Sequence, residues 1–351
     1  MKIALITDTH WGARSDSLTF SEFFRKFYEN IFFPTLKERG ITEVIHLGDV
    51  VDRRKFINYK TLNTMKEMFF HPLEEMGANI KIIIGNHDSF FKNTLKVNSM
   101  TELTNGMPHV TIYDAPSEVD LTDEHKVVFI PWICDDNEDE TRSLIERTRT
   151  KVAFGHLHLV GIEQNKGSFS VDGHSPKLFS AFERVFSGHY HHRSTTGNIT
   201  YLGNPYEITW SDYNDQRGFH IYDTETTEVE FIENPYSMFH KIYYNDEKVT
   251  YGDLSRYENC YVKIIIQNKN NTYLFETLMD KLIDAGVGHI SIVDNLFDIE
   301  DIGDDIENIA DIEDTMSVIR NCVDGLSVPN KTPLNKLMQD LYNEALTFET
   351  V

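Results

Sequence analysis

Short apolar runs recur along the first part of this chain, each closing on glycine or a polar residue: Ile3-Ala4-Leu5-Ile6, Val44-Ile45-His46-Leu47 and Ile80-Lys81-Ile82-Ile83-Ile84. Runs of that length, bounded by turn formers, predict strands over 2–7, 43–47 and 80–84. Between them the apolar positions space out at intervals of three and four. Phe20, Phe23, Phe24, Phe27 and Ile31 mark the core-packing face of a helix over 17–39, and a second helix is predicted over about 59–76. Strand alternating with helix implies a sheet with helices packed on it.

From about residue 126 the pattern turns β-rich. Strands are predicted at 126–130, 151–154 and 184–186, and a hairpin pairs 218–222 with 228–232 around Asp223-Thr224-Glu225-Thr226. Two sheets packed face to face accommodate these segments, so the fold class is α/β, a two-sheet β-sandwich core flanked by helices. After 236 a strand at 261–266, a helix at 271–285 and a strand at 289–293 form a small αβ appendage.

The remainder divides in two. Residues 294–314 hold ten Asp and Glu and no Lys or Arg, with Ile299, Ile302, Ile306 and Ile309 at helical spacing broken by Gly303; the stretch is read as a solvated linker rather than a DNA-mimicking surface. Thr332-Pro333 then caps a terminal amphipathic helix whose apolar face carries Leu334, Leu337, Met338, Leu341, Tyr342, Ala345 and Leu346. With the helix-like Met316 to Val323 it would form a helical hairpin. That face is expected to dock either on its own domain or on a protein partner. The expected domains are therefore 1–235, 236–293, 294–314 and 315–351.

Composition narrows the class. At 351 residues and 40% hydrophobic, the chain can bury a large core plus at least one appended unit. It has no run of 18 apolar residues and enters directly on a strand-like segment, so a soluble, cytoplasmic protein without membrane attachment is expected. Cys134, Cys260 and Cys322 are odd in number and follow no CxxC spacing, which implies reduced thiols rather than a disulfide framework or zinc knuckle. A formal charge of −23 argues against an autonomous nucleic-acid binder; any affinity for DNA must be local or borrowed from a partner.

Candidate chemistry sits where the predicted strands end: Asp8-Thr9-His10, Gly48-Asp49-Val50-Val51-Asp52, Gly85-Asn86-His87-Asp88, Gly155-His156 and Gly188-His189-Tyr190-His191. Strand ends of an open α/β sheet converge on one edge, where ligands bind. Two carboxylates, an amide oxygen and four imidazoles gathered there would make the inner ligand set of a two-metal phosphoesterase. Such a pair of divalent ions, about 3.5–4 Å apart, clamps the attacking and leaving oxygens of a phosphoryl displacement. Asp49, on a Gly-Asp turn, is the expected bridging ligand. Asp8 and His10, alternate residues of an extended segment, fit one ion with His191, and Asn86, His156 and His189 with Asp49 fit the other. With no thiolate in the set, Mn²⁺ is favoured over structural Zn²⁺, and Mg²⁺ is the alternative.

His87, next to Asn86, is placed to act as a general acid or to stabilise the scissile phosphate, and the Asp52 carboxylate is its expected partner. His46, inside an apolar strand, is read as a satisfied core imidazole, and His158, His174 and His192 as neighbours of the site. Arg53, Arg54 and Lys55, just past the bridging motif, either contact DNA phosphates or form a solvated loop.

At these strings the chain resembles the metallophosphoesterase superfamily, and within it the SbcD-type nuclease subunits of double-strand-break processing complexes, in the form also carried by T4-like bacteriophages. Asp8-Thr9-His10-Trp11-Gly12, Ile130-Pro131-Trp132, Gly203-Asn204-Pro205 and Arg217-Gly218-Phe219 add to the likeness, which spans nearly the whole chain. The resemblance implies a Mn²⁺ nuclease of DNA repair and recombination, acting as exonuclease on duplex ends and endonuclease on single strands. It also implies that 236–293 caps the site, that 315–351 docks on an SbcC-type coiled-coil ATPase, that the subunit homodimerises, and, for a phage protein, that it works in the host cytoplasm. Two departures stand out. Some members carry histidine where this chain has Asp52. Gly48 to Arg54 approaches the protein serine/threonine phosphatase signature, but Arg54 replaces its closing glycine and Asp88 its glutamate. The competing functions are a protein or small-molecule phosphoesterase and a non-catalytic DNA-end tether.

Overall fold

The computed structural model describes residues 1–248 and 252–294 and, beyond them, Val323, Lys331, Leu334 and residues 336–338. The expectations for the acidic stretch and the terminal helical hairpin therefore lie almost entirely outside the described residues.

In chain order the strands are β1 (Lys2–Ile6), β2 (Glu43–His46), β3 (Asn79–Ile83), β4 (Val110–Tyr113), β5 (Ser117–Thr122), β6 (His125–Ile130), β7 (Val152–His156), β8 (Glu163–Asn165) and β9 (Ser168–Phe169). They continue with β10 (Arg184–Gly188), β11 (Ser194–Thr196), β12 (Ile199–Tyr201), β13 (Arg217–Asp223), β14 (Val229–Asn234), β15 (Phe239–Asn245), β16 (Tyr261–Asn268) and β17 (His289–Asp294). Two six-stranded sheets result, ordered β14-β13-β1-β2-β3-β4 and β11-β12-β10-β7-β6-β5. Each has a run of parallel strands, β1 to β4 in one and β12, β10, β7 and β6 in the other, with antiparallel pairing through β13 and β14 at one margin of the first and through β11 and β5 at the two margins of the second.

The sheets pack against each other through alternate residues. Ile3, Leu5, Ile45, Leu47 and Ile83 of the first meet Val127, Phe129, Val152, Phe154 and Phe186 of the second. Ala4, Ile6, Val44, Ile80 and Ile82 point the other way, into a layer of helices. Strands buried on both faces explain why the sequence shows continuous apolar runs instead of alternation.

That helical layer contains a departure from simple periodicity. The helix over 18–39 runs through Leu18–Phe27, a π-helical turn at Tyr28–Phe32, and Phe33–Arg39; the helix over 59–75 repeats the device at Lys66–Phe70. In both, proline follows directly: Pro34 and Pro72. An interior proline removes one N–H and collides with the carbonyl four residues back. Here the turn widens first, with Phe33 N–H reaching Tyr28 O and His71 N–H reaching Lys66 O, so each helix continues past its proline. The widened turns present Tyr28, Phe32 and Phe69 to one another, with ring centroids 5.5–6.0 Å apart.

β15, β16 and β17 form a separate parallel sheet. The helix Thr272–Asp284 crosses between β16 and β17 and buries Phe275, Leu278 and Leu282 in a cluster with Tyr244, Val262, Ile264 and Ile266. This sheet is seated on the core by the segment 207–213. The buried Glu207 carboxylate accepts from the N–H groups of Met238 and Phe239 at 2.6 and 2.9 Å, Trp210 packs on Phe239 with centroids 4.7 Å apart, and Lys263 Nζ lies 4.3 Å from the Trp210 ring. Among the described residues no helix is long and apolar enough to cross a membrane. Cys134 and Cys260 are buried free thiols.

Candidate metal centre

The carboxyl ends of β1, β2, β3, β7 and β10 meet at one edge of the sandwich, and all seven predicted ligand side chains meet there. Ligand atoms of Asp8, His10 and His191 lie within 4.8 Å of one another, and so do those of Asp49, His156 and His189. Asn86 joins the second group: its Oδ1 is 3.0 Å from His156 Nε2 and 3.0 Å from His189 Nδ1. Asp49 stands between the groups, with Oδ2 3.2 Å from His156 Nε2 and 4.0 Å from His10 Nε2. His10 Nε2 and His191 Nε2 face each other at 3.1 Å.

This crowding has a backbone cost. Asp8, His10, Asp49 and His189 all take positive φ (52°, 42°, 54° and 90°), which L-residues rarely adopt and which concentrates at functional sites. Glycine precedes four of the predicted ligands, Asp49, Asn86, His156 and His189, for want of room. A methyl on Gly48 would stand 2.5 Å from His156 Nδ1, one on Gly85 would collide with Asp49, and one on Gly188 with Thr7 and Asp8.

Neighbouring groups then fix several of these side chains. Thr7 Oγ1 donates to Asp8 Oδ2 (2.6 Å), and His189 N–H donates to both Asp8 oxygens (3.1 Å each). His156 Nδ1 lies 2.8 Å from Leu47 O; a carbonyl can only accept, so Nδ1 carries a proton and Nε2 points into the cluster. Tyr206 Oη donates to Thr9 O (2.7 Å), steadying the turn between Asp8 and His10. His46 is fully buried between Thr9 Oγ1 and Gly48 N–H, a core imidazole with both nitrogens engaged.

Protonation within the cluster is divided. Burial alone would lower His10 and His156, yet carboxylates override it: Asp52, Asp49 and Asp8 hold His10 at about 9, and Asp49 does the same for His156. Burial and the neighbouring imidazoles press His189 well below the usual histidine range and His191 to about 4. Asp49, despite a burial that favours its neutral form, is held well below the carboxylate range by His156, His87 and His10. Imidazole nitrogens, an amide oxygen and carboxylate oxygens facing one another at 3–4 Å in a buried cluster make a donor set that fits divalent cations, which would displace the imidazole protons, with no thiolate contribution.

One sequence expectation needs correction. The Asp52 carboxylate does not partner His87. It turns toward His10, with Oδ1 3.5 Å from Nδ1, while His87 Nδ1 lies 2.5 Å from the Asp52 main-chain oxygen. The strand-end geometry carries Asp52 past His87 and offers it only a carbonyl. Of the three basic residues after it, Arg53 is neutralised by an ion pair to Asp16 at 2.9 Å, whereas Lys55 is exposed. His158 and His192 pair with Asp172 (3.1 Å) and Asp215 (2.7 Å) beside the cluster.

Asp88 has a part that its position in the motif did not suggest. Its buried carboxylate accepts from the N–H groups of Asp49 (2.8 Å), Val50 (2.9 Å), Val51 (3.2 Å) and Gly85 (3.0 Å), so it builds the turn that carries Asp49. Burial and the charge of Asp49 push it up to about 6. Trp132, stacked on His158 with centroids 6.0 Å apart and 5.0 Å from His189, walls the second group. The cluster opens into a cleft of about 300 Å³, lined on one side by His87 and Asp52 and on the other by Gln164, Asn165, Thr209 and Ser211.

Comparison with known proteins adds three findings. Residues 1–176 match the model of the calcineurin-like phosphoesterase superfamily domain. Exonuclease subunit 1 of Enterobacteria phage T4 is 31% identical over 350 residues, spanning 98% of this chain and 99% of that protein. Among solved structures, a novel archaeal phosphodiesterase at 17% identity covers 67% of this chain and 100% of its own with a TM-score of 0.35.

Proposed function

The chain belongs to the calcineurin-like phosphoesterase superfamily, and on that premise we propose that it is the Mn²⁺-dependent nuclease subunit of an SbcC/SbcD-like recombination and repair complex. The observation that carries this reading is the convergence of Asp8, His10 and His191 with Asp49, Asn86, His156 and His189 around one shared carboxylate. Two divalent ions held there would supply a water nucleophile of lowered pKa and neutralise charge on the phosphoryl group. Asp49 serves both positions, and Asp8 and Asn86 complete one each.

His87 acts on the substrate. Its Nδ1 proton is committed to the Asp52 carbonyl, which leaves Nε2 to protonate the leaving 3′ oxygen or to bind the scissile phosphate. Asp52 supports this through its main chain and holds His10 through its carboxylate.

The name of the T4 relative, an exonuclease subunit, supports DNA as substrate and a partner chain. We assign 1–235 to the nuclease domain, 236–293 to a cap, 294–314 to a linker and 315–351 to contact with a coiled-coil ATPase, and we include homodimerisation in the proposal. Net charge of −23 favours borrowed DNA affinity. An end-labelled duplex, a single-stranded circle and a phosphopeptide, each incubated with Mn²⁺ and with or without the ATPase, test the reading. Cleavage of the duplex and circle supports it; release of phosphate from the peptide alone overturns it in favour of a phosphatase.

A further inference from the structure

Resting on the two-cation reading above, we propose that Arg217 is the positioning residue of the Asp8–His10–His191 group, so that the two cation positions have separate structural supports.

The two groups are built differently. His156 is the last residue of β7 and His189 follows directly on β10, so both inherit their place from a sheet. His191 lies two residues further on, outside any strand. Its main-chain carbonyl is held from one side by the Asn204 N–H at 3.2 Å and from the other by the Arg217 guanidinium. The second group is fixed by other means, His156 by Leu47 O and Asp49 by the turn that Asp88 builds.

Arg217 is 3% exposed and engages four partners: it donates to His191 O, Asn204 Oδ1 and Asp215 Oδ2 (2.9 Å) and forms an ion pair with Asp212 Oδ1 at 3.1 Å. Asp212 in turn accepts from the N–H groups of Ile208 (2.7 Å) and Thr209 (3.0 Å), in the wall of the cleft. A buried ion cluster of this kind contributes little net stability, because desolvation offsets the attraction. What a planar guanidinium does supply is fixed geometry: one rigid fork sets the distance from His191 to two carboxylates and an amide. A lysine ammonium, a point charge with three donors on a flexible stem, cannot reproduce that spacing. None of the four belongs to the Asp49–His156–His189 group.

The test is Mn²⁺ binding by the full chain, followed by metal stoichiometry and by the electron paramagnetic resonance spectrum, which separates coupled pairs from single ions. Wild type should take up two ions. Arg217→Lys should keep one at wild-type affinity and bind the other roughly 10–100-fold more weakly, the usual effect of removing outer support from a metal ligand. His191→Ala provides the single-ion reference spectrum. Two ions bound by Arg217→Lys at unchanged affinity, or equal weakening of both, would overturn the proposal. Should that variant not fold, Asp215→Asn loosens the guanidinium while leaving it buried against Asp212; one-sided weakening there supports the assignment and its absence rejects it. A wild-type chain that binds a single ion would instead bring down the two-cation reading, and this inference with it.

Discussion

His87 Nδ1 sits 2.5 Å from the main-chain oxygen of Asp52, and because that oxygen can only accept, the imidazole is oriented by backbone rather than by a carboxylate. A histidine set in this way and bordering the cleft is suited to donate a proton from Nε2. His87→Ala should retain its metal and lose about 10²–10⁴-fold in cleavage of DNA, whose leaving alkoxide needs protonation. On a p-nitrophenyl phosphodiester, whose leaving group needs none, the loss should shrink to within about tenfold. Equal losses on both substrates would remove the general-acid role.

Asp88 makes a second prediction. Replacing it by alanine orphans the N–H groups of Asp49, Val50, Val51 and Gly85, each worth about 1–3 kcal/mol if left unsatisfied. The variant should fall several kcal/mol in denaturant stability and lose Mn²⁺ affinity together. Full metal uptake with unaltered stability would show that the Asp49 turn stands without it.

Acid sensitivity follows from two buried imidazoles outside the ligand set. Burial holds His46 and, with Arg193 nearby, His220 down to about 3, against 6.5 for an ordinary histidine. The folded state therefore resists a proton that the unfolded chain accepts. Their contribution is fully present above pH 6.5 and is lost as pH falls toward 3, by about 2 kcal/mol per imidazole at pH 5. Denaturation midpoints at pH 7 and pH 5 should separate wild type from His220→Phe, with the variant losing less. The same loss in both would mean that His220 is not the proton acceptor.

DNA affinity should respond unequally to the basic residues after Asp52. If Lys55 meets a phosphate, Lys55→Ala should reduce the slope of log affinity against log salt by about one unit. Arg53→Ala should leave the slope unchanged, since Asp16 already neutralises that charge. A steeper effect from Arg53 would show that the ion pair opens on DNA.

Much of this arrangement was legible because the strands around the site are buried on both faces. Ile3 to Ile6 is apolar without a break and Ile80 to Ile84 is broken only by Lys81, and the aspartate or glycine just past each run marks the turn where a predicted ligand sits. The helices over 18–39 and 59–75 were legible from their aromatic spacing, but the π turns were not. A proline deep in a helical pattern signals a break unless the N–H before it is known to reach the carbonyl five residues back. β15 escaped because Lys241 and Tyr243 interrupt its apolar residues; in the structure Lys241 Nζ rests 4.7 Å from the Tyr213 ring. The direction of the Asp52 carboxylate and the four-fold engagement of Asp88 depend on chain segments dozens of residues apart, and no local spacing encodes them.

The seat of the three-stranded sheet has a mechanical consequence. Glu207 and Trp210 bind that sheet, while Thr209 and Ser211 between and beside them border the cleft. One short length of chain is thus both foundation and doorpost: any tilt of β15 to β17 must widen or narrow the entrance, and trimming the chain after residue 235 would unmoor the entrance itself.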